Sequence, residues 1–200
     1  MTQVDMRVLL DVMERLIAPD GCPWDRAQTH SSMRKHMIEE AYEVCDAIDR
    51  GDAANLREEL GDVLYQVVFH AALAEREGLF SLQDVIDEVA EKMRRRHPFI
   101  WPAEEGAAAG DWESIKRAEK AARGQSAALP ACLPVTLKLE KLVAKCKKHG
   151  LSQEALLACC DDERQRALLT LVMAYAETDD TFEFSAQVLT KKLEKCLENL

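Results

Sequence analysis

Apolar residues recur at helical spacing through almost the whole chain, and this periodicity limits the fold more than any other feature. Residues 3–17 show the pattern, with apolar side chains every three or four positions: Val8, Leu9, Val12, Met13 and Leu16. Alternating runs of β-branched residues and Asn-Gly turns, which would indicate strands, are nearly absent. The sequence therefore predicts an all-α protein, and short connections between antiparallel helices favour a bundle.

Turn and capping residues divide this pattern into separate helices. Ser31 or Ser32 is expected to cap the second helix, and Gly51 lies in the turn that follows it. Ser81 and Asp84 have the spacing of a capping box that opens the fourth helix. The stretch "APDGCPWD" between the first two helices is predicted to be a loop. The predicted helices cover about residues 3–17, 32–50, 53–77, 82–97, 111–122, 134–148, 153–177 (with an interruption) and 181–199.

Small residues mark the expected domain boundaries. A glycine- and alanine-rich stretch at 106–110 precedes the fifth helix, and residues 124–133 have the composition of a linker. We therefore expect one helical domain at 1–123 and a second at 134–200.

Composition excludes several classes of protein. The formal net charge of -10 argues against direct nucleic-acid binding through a basic surface. No apolar run approaches the roughly 20 residues of a membrane span, and no signal peptide is recognisable. The seven cysteines are scattered without a CxxC pair, so we expect reduced thiols and a cytoplasmic location.

Two carboxylate pairs are placed symmetrically about the turn at Gly51. Glu40 and Glu43 share one face of the second helix, and Glu59 and Asp62 share one face of the third. Glu43 and Glu59 lie eight residues from Gly51 on either side, and Glu40 and Asp62 lie eleven residues from it. In an antiparallel hairpin, equal offsets give equal heights along the helix axes, so the four carboxylates are expected to converge.

Four converging carboxylates require bound protons or bound cations. A set of oxygen ligands without histidine or cysteine favours Mg²⁺, with Mn²⁺ as a possible substitute. Di-iron bundles use a Glu-x-x-His motif, which is missing here, so a di-metal oxidoreductase is disfavoured. A solvated helix surface is the simpler alternative for either pair alone, but the symmetric placement of two pairs favours a metal site.

Several sequence blocks together resemble the MazG family of nucleoside triphosphate pyrophosphohydrolases. They are "GCPWDRAQTH", "EEAYEVCDAI", "EELGDVLYQVVFHA", "KMRRRHPFIW" and "DWESIKRAEK". The family pattern EExxE followed by ExxD is filled by five residues: Glu39, Glu40, Glu43, Glu59 and Asp62.

The resemblance implies a Mg²⁺-dependent all-α enzyme for housecleaning of the nucleotide pool. It would cleave NTPs or dNTPs between the α and β phosphates, releasing the nucleoside monophosphate and pyrophosphate. The implied metal ligands are Glu40, Glu43, Glu59 and Asp62. Glu39 would be an outer group of the site or a base for the attacking water.

Other positions are candidates for substrate contacts. Lys92 and Arg96 match family positions that contact phosphates, although cations at the end of a helix also complement its dipole. Trp24 and Trp112 are candidates to stack on the base or to fill a hydrophobic gap, with Gln28 as a hydrogen-bonding partner.

Two further candidates lie one turn before metal ligands. His36 precedes Glu40 and Asn55 precedes Glu59, so both share the acidic faces and are candidates for substrate binding.

The C-terminal part resembles an incomplete second copy of the same domain. "LPACLPVTLKLEKLVAKCKKHG" resembles the start of such a copy, and "DDERQRALLTLVMAYA" resembles the ExxD helix. In that helix Glu163 is kept, but Arg166 takes the place of the aspartate, and no EExxE helix precedes it. We therefore expect a non-catalytic second domain.

The family resemblance also implies a homodimer or a higher homo-oligomer, since a two-helix hairpin cannot bury both of its apolar faces alone. A non-catalytic nucleotide-binding or regulatory protein with the same fold is the alternative function.

Overall fold

A computed structural model describes residues 5–102, 112–122, 129–175 and 181–198. Every regular element in these ranges is a helix, which confirms the all-α prediction. The helices are α1 (Arg7–Ile17), α2 (Pro23–Ala27), α3 (His30–Asp49), α4 (Ala53–Arg76), α5 (Leu82–Arg96), α6 (Trp112–Ala122), α7 (Val135–Lys148), α8 (Gln153–Leu157), α9 (Glu163–Tyr175) and α10 (Phe182–Glu198). None of the helices described is both long enough and apolar enough to cross a bilayer.

Contacts divide the chain into two compact units, Met1–Glu119 and Lys120–Leu200. The predicted glycine- and alanine-rich stretch at 106–110 lies outside the described residues. Residues 124–128 of the predicted linker and the predicted first turn of the first helix at residues 3–4 also lie outside them.

A tight turn joins α3 to α4 and makes them an antiparallel hairpin. Gly51 adopts a φ of 64°, which a residue with a side chain rarely takes. The Asp52 amide donates to the Ala47 carbonyl at 3.1 Å, which closes the end of α3. The Asp52 carboxylate then caps α4 by accepting from the amides of Ala54 and Asn55. The chain therefore reverses within three residues, as the "RGD" turn predicts.

The cap of α3 corrects one prediction. Thr29, rather than Ser31 or Ser32, is the N-cap, and its hydroxyl accepts from the Ser32 amide. Ser32 instead occupies the third helical position and accepts from the Thr29 amide at 2.9 Å. All three residues are good caps, so composition alone does not select among them. The predicted capping box of Ser81 and Asp84 at the start of α5 is confirmed.

The short helix α2 begins inside the predicted loop at residues 18–25, so the loop prediction is wrong for residues 23–25. The turn into α2 requires glycine at position 21. A Cβ at Gly21 would lie 2.3 Å from the Leu16 carbonyl oxygen, closer than any real contact of that kind. Pro23 stands at the first helical position of α2, where its fixed φ and missing N–H are tolerated.

The core of the N-terminal unit lies where α1 packs on the α3–α4 hairpin. Its fully buried side chains are Met13, Met33, Val68, Phe69 and Leu73. This packing fixes α4, which carries site residues on another face.

The C-terminal unit has its own core between α7, α8, α9 and α10. Its buried members are Val143, Leu156, Val172 and Met173, with Phe182 packed against them. The buried Glu140 of α7 accepts from the Phe182 amide at 2.7 Å, so a side chain of one helix caps the start of another.

Candidate functional site

Three carboxylates meet across the α3–α4 hairpin. One side-chain oxygen from each of Glu40, Glu43 and Glu59 lies within 4.8 Å of the other two. Glu40 and Glu43 come from successive turns of α3, and Glu59 faces them from α4. Glu43 is exposed while Glu40 and Glu59 are half-buried, so the cluster opens to solvent on one side.

Repulsion between these carboxylates acts on Glu43. The charge of Glu59 raises the pKa of Glu43, and desolvation and the charge of Glu40 raise it further. Carboxylates held this close favour either a shared proton or a bound cation. Carboxylate oxygens are the ligands that hard divalent cations prefer, so the donor set fits a metal ion. The acidic cluster could therefore hold a metal.

Asn55 orients one of the three carboxylates. Its side-chain Nδ2 donates to Glu59 Oε1 at 2.7 Å from one turn earlier on α4. The Asn55 carbonyl oxygen accepts in turn from the Arg50 guanidinium, which also pairs with Asp46 at 2.9 Å. The turn between the helices is thus connected to the cluster by side-chain hydrogen bonds.

Asp62 is not brought into the cluster. It lies on α4 at i+3 from Glu59, as predicted, but its side chain is exposed and outside the group of three. Aspartate is one methylene shorter than glutamate, so it reaches less far across a helix pair packed at about 8–10 Å.

Glu39 points toward a different set of residues. Its Oε2 lies 3.0 Å from His36 Nδ1, one turn earlier on α3. The His36 ring contacts the Trp24 ring edge-on, with centroids 6.1 Å apart. A row of three side chains thus runs from α2 to the residue next to Glu40.

Trp24 and Gln28 lie at the two ends of α2. The Trp24 side chain is about half-exposed, so one part of the indole is accessible. Gln28 Nε2 donates to the Trp24 carbonyl at 2.9 Å, and its Oε1 accepts from the Ser32 hydroxyl at 2.7 Å. Gln28 therefore joins the end of α2 to the first turn of α3.

Arg96 and Trp112 form a group at the end of α5. The Arg96 guanidinium lies 5.1 Å from the centre of the Trp112 ring, and it donates to Glu119 Oε2 through Nε at 3.0 Å and a terminal nitrogen at 2.7 Å. The His97 ring lies 5.0 Å from Trp112. Lys92 is half-buried one turn before Arg96. The described contacts do not connect this group with the three carboxylates.

A histidine pair closes the far end of the hairpin. His30 Nδ1 and His70 Nδ1 lie 2.8 Å apart, and their rings are stacked with an interplanar angle of 7°. Burial, and then the neighbouring His30, lower the pKa of His70, which favours the neutral form of the His70 ring. One imidazole nitrogen then donates and the other accepts.

Comparison with known proteins decides the family. The sequence profile of the MazG nucleotide pyrophosphohydrolase domain matches residues 28–101. This part of the chain belongs to the MazG family. The matched range contains the whole carboxylate cluster, and it excludes Trp24 and Trp112.

Named relatives support the assignment of the MazG domain. The nucleoside triphosphate pyrophosphohydrolase of Escherichia coli (strain K12) is 39% identical over 164 residues, which are 78% of this chain and 62% of the relative. The Thermotoga maritima nucleoside triphosphate pyrophosphohydrolase/pyrophosphatase MazG is 47% identical over 118 residues, 59% of this chain and 46% of that protein. The uncharacterized protein YabN of Bacillus subtilis is 44% identical over 137 residues, 66% of this chain and 28% of that protein. The chain thus spans between 28% and 62% of the length of these relatives.

A solved structure, that of a MazG-related protein from Thermotoga maritima, aligns with 31% identity and a TM-score of 0.45. The alignment covers 56% of this chain and 98% of that chain.

Three residues that hold candidate site residues in place were not predicted from the sequence: Asp25, Tyr65 and Glu119. Glu119 binds Arg96, and Tyr65 donates to the buried Asp25 in α2 at 3.2 Å. The "DWESIKRAEK" block contains Glu119, but nothing in it pairs that residue with Arg96. The contact between residues 25 and 65 spans forty positions and has no periodic signal.

Proposed function

We propose that the N-terminal unit hydrolyses nucleoside and deoxynucleoside triphosphates between the α and β phosphates, releasing the monophosphate and pyrophosphate. The observation that carries the proposal is the cluster of Glu40, Glu43 and Glu59 inside a MazG domain. Two of the relatives described above are named nucleoside triphosphate pyrophosphohydrolases, which supports the same reaction.

The proposed cofactor is Mg²⁺, with Mn²⁺ as a substitute, held by the three clustered carboxylates. Such an ion would neutralise phosphate charge and lower the pKa of a water molecule for attack on phosphorus. Asn55 holds the Glu59 carboxylate in place by donating to one of its oxygens. Asp62 stays a proposed fourth ligand, and Glu39, paired with His36, a proposed outer group or base.

The proposed substrate contacts fall into two sets. Trp24, with Gln28 and His36 beside it, is proposed to contact the nucleoside, since its ring is accessible. Lys92 and Arg96 are proposed to contact phosphates, with Trp112 stacked on the Arg96 guanidinium. Arginine offers a planar fork for phosphate oxygens, whereas lysine acts as a point charge.

We also propose a homodimer in the cytoplasm. Apolar side chains stay exposed along both helices of the hairpin, which favours a second copy as cover: Ile38 and Ile48 on α3, Leu60 and Leu64 on α4. Free thiols on the six cysteines described are consistent with a reducing compartment.

The C-terminal unit is proposed to be non-catalytic. Arg166, at the position that corresponds to the aspartate ligand, lies 3.7 Å from Glu163 on the same helix. A cation at that position repels a metal ion.

The test is an assay of each NTP and dNTP with Mg²⁺ or Mn²⁺, with separation of monophosphate and pyrophosphate from diphosphate and phosphate. We expect pyrophosphate release that a chelator abolishes, and Glu43→Gln should lower kcat by roughly 100-fold because a ligand charge is lost. Glu58→Gln is the matched control, since Glu58 is exposed on α4 outside the cluster.

Other outcomes select the alternatives. Tight nucleotide binding without pyrophosphate release would favour the non-catalytic nucleotide-binding protein. Iron-dependent oxygen consumption would restore the oxidoreductase.

A further inference from the structure

Helix α2 takes its position from other elements of the N-terminal unit. It has five residues, and a helix of that length does not persist in isolation. Its start is tied to α1, because the Cys22 amide donates to the Leu16 carbonyl at 2.8 Å. The orientation of Trp24 and Gln28 therefore depends on the contacts that α2 makes with the rest of the unit.

A hydrogen bond from α4 holds the middle of α2. The Tyr65 hydroxyl donates to Asp25 Oδ1 at 3.2 Å, and Asp25 is only 6% exposed. A carboxylate removed from water in this way is costly unless a donor satisfies it. Burial, and then the charge of Asp25, raise the pKa of Tyr65 to about 12, so the hydroxyl keeps its proton across the physiological range.

A second contact from α4 reaches the end of α2. The two terminal nitrogens of Arg76 donate to the carbonyl oxygens of Arg26 and Gln28, both at 3.4 Å. Carbonyls at the end of a helix lack intrahelical donors, and a cation there is favourable. The helix that carries Glu59 thus also fixes both the middle and the end of α2.

We propose that Tyr65 is a positioning residue that, through Asp25, fixes α2 so that Trp24 forms a wall for the nucleoside part of the substrate. The inference rests on the proposed function, because it assumes a triphosphate with its phosphates at the carboxylate cluster. Tyr65 touches no reacting atom. It acts by holding the base-contacting segment against the helix that carries a metal ligand.

The variant Tyr65→Phe removes the hydroxyl and keeps the ring, which packs edge-on against Phe69 at 5.8 Å. We expect KM for a nucleoside triphosphate to rise about five- to tenfold with kcat within about twofold, the effect of losing one hydrogen bond to a buried charge. The inhibition constant of inorganic tripolyphosphate, which has no nucleoside, should stay unchanged.

Tyr175→Phe, which removes the same hydroxyl from α9 of the C-terminal unit, is the matched control and should leave KM unchanged. An unchanged KM in Tyr65→Phe would overturn the inference. An equal weakening of tripolyphosphate and nucleotide would also overturn it, since that pattern indicates general damage to the site.

Hydrogen exchange tests the positioning without any turnover. The amides of Arg26 and Gln28 are hydrogen-bonded within α2, and they should exchange roughly tenfold faster in Tyr65→Phe, with amides in the middle of α3 unaffected. If the unaltered protein hydrolyses no nucleotide, the proposed function fails, and exchange still decides the role of Tyr65. Unchanged exchange in α2 would overturn that role.

Discussion

Glu43 is the residue at which stability and the proposed chemistry oppose each other. It is held near Glu59 and Glu40, and their negative charges raise its pKa. Without a cation this repulsion destabilises the folded hairpin, and solvent reduces it because Glu43 is exposed. A bound divalent cation would turn the same three charges into an attractive arrangement.

Glu43→Gln should therefore have opposite effects in the absence and presence of metal. In the presence of a chelator, Glu43→Gln should unfold at a slightly higher temperature than the unaltered protein, because one repelling charge is gone. Added Mg²⁺ or Mn²⁺ should raise the unfolding temperature of the unaltered protein, and this increase should be largely lost in the variant. Differential scanning calorimetry with and without metal checks both effects.

Glu58→Gln serves as the comparison, because it removes a neighbouring exposed charge outside the cluster. The unfolding temperature of this variant should still rise when Mg²⁺ or Mn²⁺ is added. An equal increase in Glu43→Gln and in the unaltered protein would show that the ion binds elsewhere.

At the scale of single residues, the sequence predicts those contacts that backbone geometry alone determines. Equal offsets from Gly51 predicted that Glu43 and Glu59 would meet, and the structure brings them together. The approach of Asp62 depends on side-chain length and rotamer, which offsets do not contain. The pairing of Arg96 with Glu119 depends on where α6 packs, so it could not be read from the spacing of Lys92 and Arg96.

At the scale of elements, an ion-pair network joins α5 and α6. Glu119 of α6 accepts from both Arg95 and Arg96 of α5, and the Glu119 side chain is only 17% exposed. These hydrogen bonds, led by the one from Arg96, lower the pKa of Glu119 below its ordinary value of 4.5. Stabilisation by the network should therefore depend on pH.

The direction of this pH dependence follows from the lowered pKa of Glu119. The contribution of Glu119 is fully present above pH 4.5 and is lost as the pH falls through the lower pKa of the folded state. Glu119→Gln should lower the free energy of unfolding by about 1 kcal/mol near pH 7, and this difference should shrink toward zero in acid. Chemical denaturation at a series of pH values measures it.

Glu91→Gln is the matched control, since Glu91 also pairs with Arg95 at 2.8 Å but its side chain is 67% exposed. Glu91→Gln should lower the free energy of unfolding by less than Glu119→Gln does at every pH. A difference between the unaltered protein and Glu119→Gln that does not change with pH would show that the glutamate stabilises by packing only.

Long helices were predictable because periodicity and end signals agree over many residues. The turn at Gly51 and the cap at Ser81 were predicted at their actual positions. Helix α2 was missed, since five residues are too few for a period to show and its stability comes from Tyr65 and Arg76 forty or more positions away. Thr29 was missed as a cap because three adequate caps stand within four positions.

At the scale of the whole molecule, exposed apolar side chains lie along α3 and α4, and the proposed homodimer would cover them. Leu60 and Leu64 lie one turn apart on α4 and are 52% and 41% exposed. Leu64→Lys places a charge in this stripe and should convert the proposed homodimer to a monomer, because a lysine ammonium is costly to bury. Light scattering coupled to gel filtration measures the mass.

Leu79→Lys is the control, as Leu79 is an exposed apolar side chain that follows α4 and lies outside both helices of the hairpin. It should leave the mass unchanged. A monomeric mass for the unaltered protein at micromolar concentration would contradict the homodimer.

The histidine pair on the side of the hairpin away from the Gly51 turn has a practical consequence. His30 Nδ1 of α3 and His70 Nδ1 of α4 lie within hydrogen-bonding distance, 2.8 Å apart, and their rings are stacked. Because this contact joins the two helices, it breaks when α3 and α4 separate there. The nuclear magnetic resonance signals of the two imidazole rings would therefore report any opening of this part of the helix pair.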